Sequence, residues 1–230
     1  MTKEFEIRRE VVLPATPEQV FAAVTDGTAN WMFPTPPVGP GDPIVKEWEP
    51  PHHARVRMDF PDGTFNALEY LIEARDGGTA SLRYVHSGVF TDDWDNQYDG
   101  AAKHTDFYHH TLAQYLRYFP GRTATYVAVE GPSSSSGPDA LEDVKRALGV
   151  QAEGDKVHLE LPGLAPVDAV VDYLNPYFIG LRSDDALYRV FGRNHFGRTV
   201  DVAHHLFGGG VDKDETERAW QAWLNGVFAA

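Results

Sequence analysis

The chain has 230 residues, of which 42% are hydrophobic, 12% aromatic and 23% charged, which is typical of a folded globular protein. Its formal net charge of −14 disfavours nucleic acids and anionic membrane surfaces as partners, because both are negatively charged. The absence of cysteine excludes disulfides, thiolate nucleophiles and cysteine-ligated zinc.

The first two elements are predicted from local patterns. Phe5, Ile7 and Arg9 alternate with charged residues, which indicates a strand continuing into VVLP. In ATPEQVFAAVTDG, Thr16 is suited to the N-cap of a helix and Gln19 completes a capping box. A short helix therefore follows the first strand, before a Pro- and Gly-rich loop.

An antiparallel meander comes next, because turn-forming residues separate four stretches of strand-like sequence. These stretches are IVKEWE, ARVRMDF, FNALEYLIEA and ASLRYVHSGVF. A long amphipathic helix is predicted after them, from apolar and aromatic residues spaced by four and three. That stripe consists of Trp94, Tyr98, Ala101, Thr105, Tyr108, Leu112, Tyr115 and Phe119.

The second half repeats this order with shorter elements. It reads as a strand, TATYVAVE, a flexible connection, GPSSSSGP, and a short helix, DALEDVKRALG. Five strand-like stretches follow: KVHLELP, VDAVVDYL, YFIGLRS, ALYRVFGR and TVDVAHHLFG. The final predicted helix is DETERAWQAWLNGVF, in which Asp214 and Glu217 fit a capping box.

This repetition predicts an α+β protein made of two related domains, at 1–120 and 121–230, through a diverged duplication. YVHSGVFTDDW and VAHHLFGGGVDKDE precede the two final helices, and each carries histidine, an apolar pair and acidic residues. The start MTKEFEIRREVVLP contains no hydrophobic leader, and no long apolar run follows it. We therefore expect a cytoplasmic protein that does not engage a membrane.

Residues 5–33 and 84–119 resemble the START-like superfamily called SRPBCC. They are most similar to the bacterial branch related to the activator of the ninety-kilodalton heat-shock-protein ATPase. The resemblance implies a helix-grip fold, in which a curved antiparallel sheet wraps around a long helix and leaves a cavity between them. Members bind lipids, sterols, polyketides or plant hormones, and some are aromatase/cyclases. The resemblance supplies no agreed catalytic residues to transfer.

Metal and nucleophile motifs are weak in this sequence. DNQYDGAAKHTD resembles a calcium loop in its acidic positions and central glycine, but the amphipathic stripe runs through it, which favours a helix. The pairs His52-His53, His109-His110 and His204-His205 are adjacent residues, which do not readily ligate one ion together. No serine-nucleophile elbow or phosphate-binding loop occurs. No metal and no cofactor are predicted.

The candidate site is the predicted cleft between the first meander and the long helix. Alternating positions in the strands direct apolar residues toward that helix, with polar groups among them. Its predicted lining residues are Trp31, Met58, Glu69, Tyr84, His86 and Tyr98.

Three functions are compatible with such a cleft. The favoured one is binding of a hydrophobic small molecule, lipid or polyketide-like, without catalysis. The second is a cyclase- or dehydratase-like enzyme in which His86 and Tyr84 act as a general acid/base pair. The third is a co-chaperone-like interaction module, for which the sequence identifies no protein partner.

Overall fold

The computed structural model describes residues 3–91 and 93–229. The chain forms two compact units, Met1–Gly121 (unit 1) and Arg122–Ala230 (unit 2). The strands of unit 1 are β1 (Lys3–Leu13), β2 (Val45–Glu49), β3 (His53–Asp59), β4 (Phe65–Arg75) and β5 (Thr79–Phe90). Its helices are α1 (Pro17–Val24) and α2 (Trp94–Tyr118), with a 3-10 turn at Thr28–Asn30.

The five strands of unit 1 form one antiparallel sheet in the order β1-β5-β4-β3-β2. The first strand pairs with the last along its whole length, from Lys3 opposite Phe90 to Leu13 opposite Ala80. The meander predicted from the turns is therefore confirmed, and β1 closes it at the β5 edge. Residues directly opposite each other on neighbouring strands place their side chains on the same face of the sheet. Each row of paired residues therefore belongs to one face.

The two helices of unit 1 begin with different caps. The Thr16 hydroxyl accepts from the backbone N–H of Gln19, and the Gln19 side chain accepts from the N–H of Thr16, so the predicted capping box of α1 is confirmed. The cap of α2 is Asp93, whose φ of 40° is left-handed. Because α2 runs from Trp94 to Tyr118 without interruption, the calcium-like stretch is helical, as expected.

The predicted stripe on α2 is only partly correct. Thr105, Leu112 and Tyr115 are buried as expected. However, Tyr98 and Tyr108 are half-buried, while the buried set includes side chains that the stripe omits. The omitted side chains are Phe107, His109, Thr111 and Leu116. A stripe predicted from apolar residues alone excludes a buried histidine, since histidine is most often placed on the polar face.

Unit 2 contains six strands and two helices. The strands are β6 (Thr125–Glu130), β7 (Lys156–Leu159), β8 (Val167–Leu174), β9 (Phe178–Arg182), β10 (Ala186–Phe191) and β11 (Asp201–Leu206). The helices are α3 (Ala140–Leu148) and α4 (Lys213–Val227), with 3-10 turns at Ser133–Ser136 and Arg193–Phe196.

The sheet of unit 2 has the order β6-β11-β10-β9-β8-β7. Its first strand again pairs with its last, with Val127 opposite His204, and its last element is again a helix. Each unit thus consists of a strand, a short helix, a meander that returns to the first strand, and a final helix. The α+β helix-grip class predicted from the sequence is confirmed by this shared topology.

Two predictions about local structure in unit 2 are wrong. The serine run was expected to be a flexible connection, but Ser135 is fully buried and its side-chain oxygen accepts from the N–H of Val200 at 3.2 Å. The cap of α4 is Asp212, whose carboxylate accepts from the N–H of Glu215, and not Asp214. The contact with Val200, 65 positions away, selects Ser135 among the serines of the run. The cap of α4, by contrast, is a local contact that the capping-box assignment placed two residues too late.

A buried ion pair crosses the sheet of unit 2. The guanidinium of Arg189 on β10 donates to both carboxylate oxygens of Asp172 on β8, at 3.0 and 2.9 Å. The two side chains are 1% and 5% exposed. Gly180 on β9 lies opposite Arg189, and a Cβ there would come within 2.9 Å of Arg189 Nη1 and would also collide with the Asp172 carboxylate. Only glycine leaves room for this pair.

Gly180→Ala is expected to lower the free energy of unfolding by about 3 kcal/mol, because a methyl group between the partners separates two buried charges. Urea unfolding followed by circular dichroism measures the change. Gly137→Ala is the matched control, since a Cβ at Gly137 meets no atom within 4 Å, and its effect should stay within about 0.5 kcal/mol. Equal stability of the two variants would show that the pair tolerates the methyl group.

Candidate active cleft of unit 1

The side chains on the inward face of the first sheet are buried at one end of the strands, here called the closed end, and partly exposed at the other, the open end. At the closed end, Leu13, Ile72 and Leu82 are 1% exposed or less. Toward the start of α2, successive rows place Tyr84 beside Tyr70, His86 beside Leu68, and Gly88 beside Asn66. The inward-facing side chains of these open rows retain partial solvent access, and they include Val56, Asn66, Leu68, Tyr84 and His86.

Helix α2 contacts this face through Thr105 and His109, which form a polar group with Tyr84 of β5. The ring of Tyr84 meets that of His109 edge to face, with centroids 4.7 Å apart. The side chains of Tyr84 and Thr105 are hydrogen-bonded, and the Thr105 hydroxyl also donates to the carbonyl of Ala101 at 2.8 Å. Sheet and helix are thereby joined by polar contacts in a region that apolar residues otherwise fill.

His86 lies one row further toward the open end. Its Nε2 is 2.7 Å from Oδ1 of Asn66 on the neighbouring strand, and its ring meets Phe5 edge to face at 4.9 Å. Gly88 makes room for Phe5, because a Cβ at Gly88 would lie 2.8 Å from that ring. The imidazole of His86 is therefore held on two sides.

Burial keeps the titratable groups of the cleft neutral. Loss of hydration lowers the pKa of His86 to about 4 and that of His109 to about 4. The same effect raises the pKa of the Tyr84 phenol, and Tyr70 nearby raises it further. Near neutral pH the cleft thus presents two uncharged imidazoles and a protonated phenol.

One ring nitrogen of His109 makes no hydrogen bond within the described residues. The residue is 6% exposed, and the nitrogen is Nδ1. Unsatisfied buried polar atoms are uncommon and costly, so Nδ1 keeps an unused hydrogen-bonding position on the side of α2 that meets Tyr84. Sequence reasoning missed this residue, although the spacing Thr105, His109, Leu112, Leu116 is itself a helical stripe.

The structure brings together only some of the predicted lining residues. Tyr84 and His86 face the cleft. Met58 shares the row of Asn66 and is 40% exposed at the open end. Tyr98 is half-buried near the start of α2 and stacks on Trp94 with centroids 4.8 Å apart. Trp31 is buried away from this polar group, and its Nε1 donates to the carbonyl of Ala23.

Glu69 is a correction. It lies opposite Val85, in the row between those of Leu68 and Tyr70, so its side chain points to the other face of the sheet. There its Oε1 is 2.9 Å from Nε2 of His53. The prediction failed because it considered the neighbouring strand without its register, and a shift of one residue reverses the face.

The one basic side chain in the Tyr84 row, Arg9, is neutralised. Arg9 lies opposite Tyr84 on β1, and its guanidinium forms an ion pair with the carboxylate of Asp106 on α2. Over the described residues there is no group of three or more histidine, aspartate or glutamate side chains placed to hold a metal ion. The polar chemistry of the cleft is therefore mainly that of neutral hydrogen-bonding groups.

No protein-family model and no curated protein matches the chain. Among solved structures, it is similar to DynU16, a protein in the dynemicin biosynthetic locus, with 16% identity over 97% of this chain and 95% of that one and a TM-score of 0.41. The Aha1 protein from Colwellia psychrerythraea shares 16% identity over 49% of this chain and 96% of its own, with a TM-score of 0.39. CalU16 from Micromonospora echinospora shares 14% identity over 50% and 86%, with a TM-score of 0.37.

The strand order and the final helix define each unit as a helix-grip domain, the architecture of the START-like class. Within the described residues, no helix is long and apolar enough to cross a membrane.

The buried histidines predict a pH dependence of stability. A histidine with a folded pKa near 4 and an unfolded pKa near 6.5 binds a proton first in the unfolded chain, so stability is complete above about pH 6.5 and declines as the pH falls toward 4. Between pH 7 and pH 5, the free energy of unfolding of His109→Leu should therefore fall by about 2 kcal/mol less than that of the wild type.

Urea unfolding at the two pH values measures this difference. Thr111→Val is the control, since Thr111 is buried on the same helix and carries no titratable group, so the pH slope should be unchanged. A slope in His109→Leu equal to that of the wild type would contradict the assignment of a buried neutral imidazole.

Proposed function

We propose that unit 1 binds a hydrophobic small molecule carrying neutral oxygen groups, of the aromatic polyketide type, in the cleft between its sheet and α2. The observation that carries the proposal is the unpartnered Nδ1 of the buried His109 beside Tyr84. A carbonyl or hydroxyl group on a ligand would supply the missing partner, and the surrounding aromatic rings would hold the apolar body.

The uncharged polar groups of the cleft favour a neutral ligand over a charged ligand. A carboxylate or phosphate entering the cleft would lose its hydration, and the guanidinium of Arg9 in the Tyr84 row is already paired with Asp106. The open end is rimmed by exposed apolar side chains, among them Met58 and Phe60 at 40% and 46% exposure. Such a rim suits the entry of an apolar molecule.

Binding also fits the cleft better than acid/base catalysis by His86 and Tyr84. An efficient general acid or base has a pKa near the working pH. The pKa of His86 is lowered to about 4 and that of Tyr84 is raised, both by burial. Moreover, His86 Nε2 is already occupied by Asn66. These properties suit two groups that orient a bound molecule by hydrogen bonding.

A thermal-unfolding experiment with emodin, a phenolic aromatic polyketide, and oleate, a fatty acid anion, tests the proposal. A ligand that binds only the folded state at 100 times its dissociation constant adds about 2.7 kcal/mol of stability. We expect emodin to raise the melting temperature and oleate to raise it less. Leu68→Trp, which fills the open half of the cleft, should abolish the emodin shift.

Tyr118→Phe is the matched control, since Tyr118 is 43% exposed and should leave the emodin shift unchanged. Melting without ligand shows whether Leu68→Trp is folded. If it is not, His109→Leu replaces it and should weaken emodin binding about 10-fold, as expected for a lost buried hydrogen bond. Absence of any emodin shift, or a shift that survives these substitutions, would overturn the proposal.

A further inference from the structure

Unit 2 has a cleft of its own at the corresponding place, beneath its final helix. The cleft has a volume of about 310 Å³ and is bounded by β8, β10, β11, the 208–212 loop and α4. Its apolar wall includes Leu161, Leu164, Tyr188 and Trp220. This volume is at the lower end of the range for small-molecule sites, so it suits a molecule of one or two rings.

The charged groups of this cleft are all acidic. Asp185, Asp212 and Glu215 line it, and no lysine, arginine or histidine is among its lining residues in the described part of unit 2. Asp185 also contributes to raising the pKa of Tyr188 to about 12, after burial as the main cause. An anionic molecule would be repelled here, whereas a protonated amine would gain charge-assisted hydrogen bonds.

The inner wall adds one hydrogen-bond donor that has no acceptor in the described part of the chain. Trp220 is 1% exposed, and its Nε1–H has no hydrogen-bond partner within the described residues. His204 does not line the cleft; its ring centroid is 4.2 Å from that of Trp220, and its Nδ1 accepts from the N–H of Arg189. A bound oxygen atom would supply the acceptor that the indole N–H of Trp220 lacks.

We propose that this cleft of unit 2 is a second binding site, selective for a small aromatic amine that also carries a hydroxyl group. The ammonium group pairs with Asp185 at the rim, where the side chain is exposed. The ring lies against Tyr188 and Trp220, which also attract cations through their faces. The two sites therefore differ in charge preference although they share one topology.

A charge series on one phenol ring tests the proposal by isothermal titration calorimetry. Tyramine is cationic, tyrosol is its neutral alcohol, and 4-hydroxyphenylacetate is its anionic counterpart. Tyramine should bind at least about 10-fold more tightly than tyrosol, as charge-assisted bonds predict, and the anion should bind most weakly. No tyramine binding, or equal binding of the three compounds, would overturn the proposal.

Substitutions locate the binding to unit 2. Asp185→Asn should weaken tyramine binding about 10-fold, whereas Asp184→Asn, which changes the exposed neighbour outside the cleft, should not. If Asp185→Asn is unfolded, Glu215→Gln is used and should weaken tyramine binding in the same direction. Leu68→Trp in unit 1 should leave tyramine binding intact; its loss there, or full retention in Asp185→Asn, would refute the second site.

Discussion

The pairing of the first strand with the last determines what each unit can do. Residues more than 70 positions apart meet in this pairing, as with Arg9 and Tyr84 in unit 1 or Val127 and His204 in unit 2. Each pairing completes a sheet with one inward face, and the helix that follows the last strand covers that face. In unit 1 the inward rows keep partial solvent access at one end, and in unit 2 a cleft lies beneath α4.

The two units show how one topology supports two chemistries. In unit 1, burial leaves neutral imidazoles and a phenol on the inward face, and the Arg9 guanidinium opposite Tyr84 is paired with Asp106. In unit 2, the cleft is lined by carboxylates and by the indole N–H of Trp220, which has no partner within the described residues. In both proposals, selectivity depends on a few side chains placed on equivalent elements of one topology.

Much of the fold could be predicted from the sequence, because it depends on local signals. Turn residues separate the strands, and Thr16 and Gln19 cap α1. In β1, Phe5 and Ile7 are buried while the charged residues next to them are exposed. The site was less predictable. Tyr84 and His86 were found from their alternation within one strand, whereas Glu69 was misplaced because its face depends on register with a neighbouring strand.

The sequence by itself determined the element order, the repetition of that order in the second half, and the acidic character that disfavours polyanionic partners. Tertiary structure alone decided which histidines are neutral and buried, that Ser135 is fixed by Val200, and that unit 2 has a cleft beneath α4. The physical reason is that strand and helix periodicity are encoded within a few residues. Burial, pKa and unpaired hydrogen bonds depend on atoms that only the folded chain brings together.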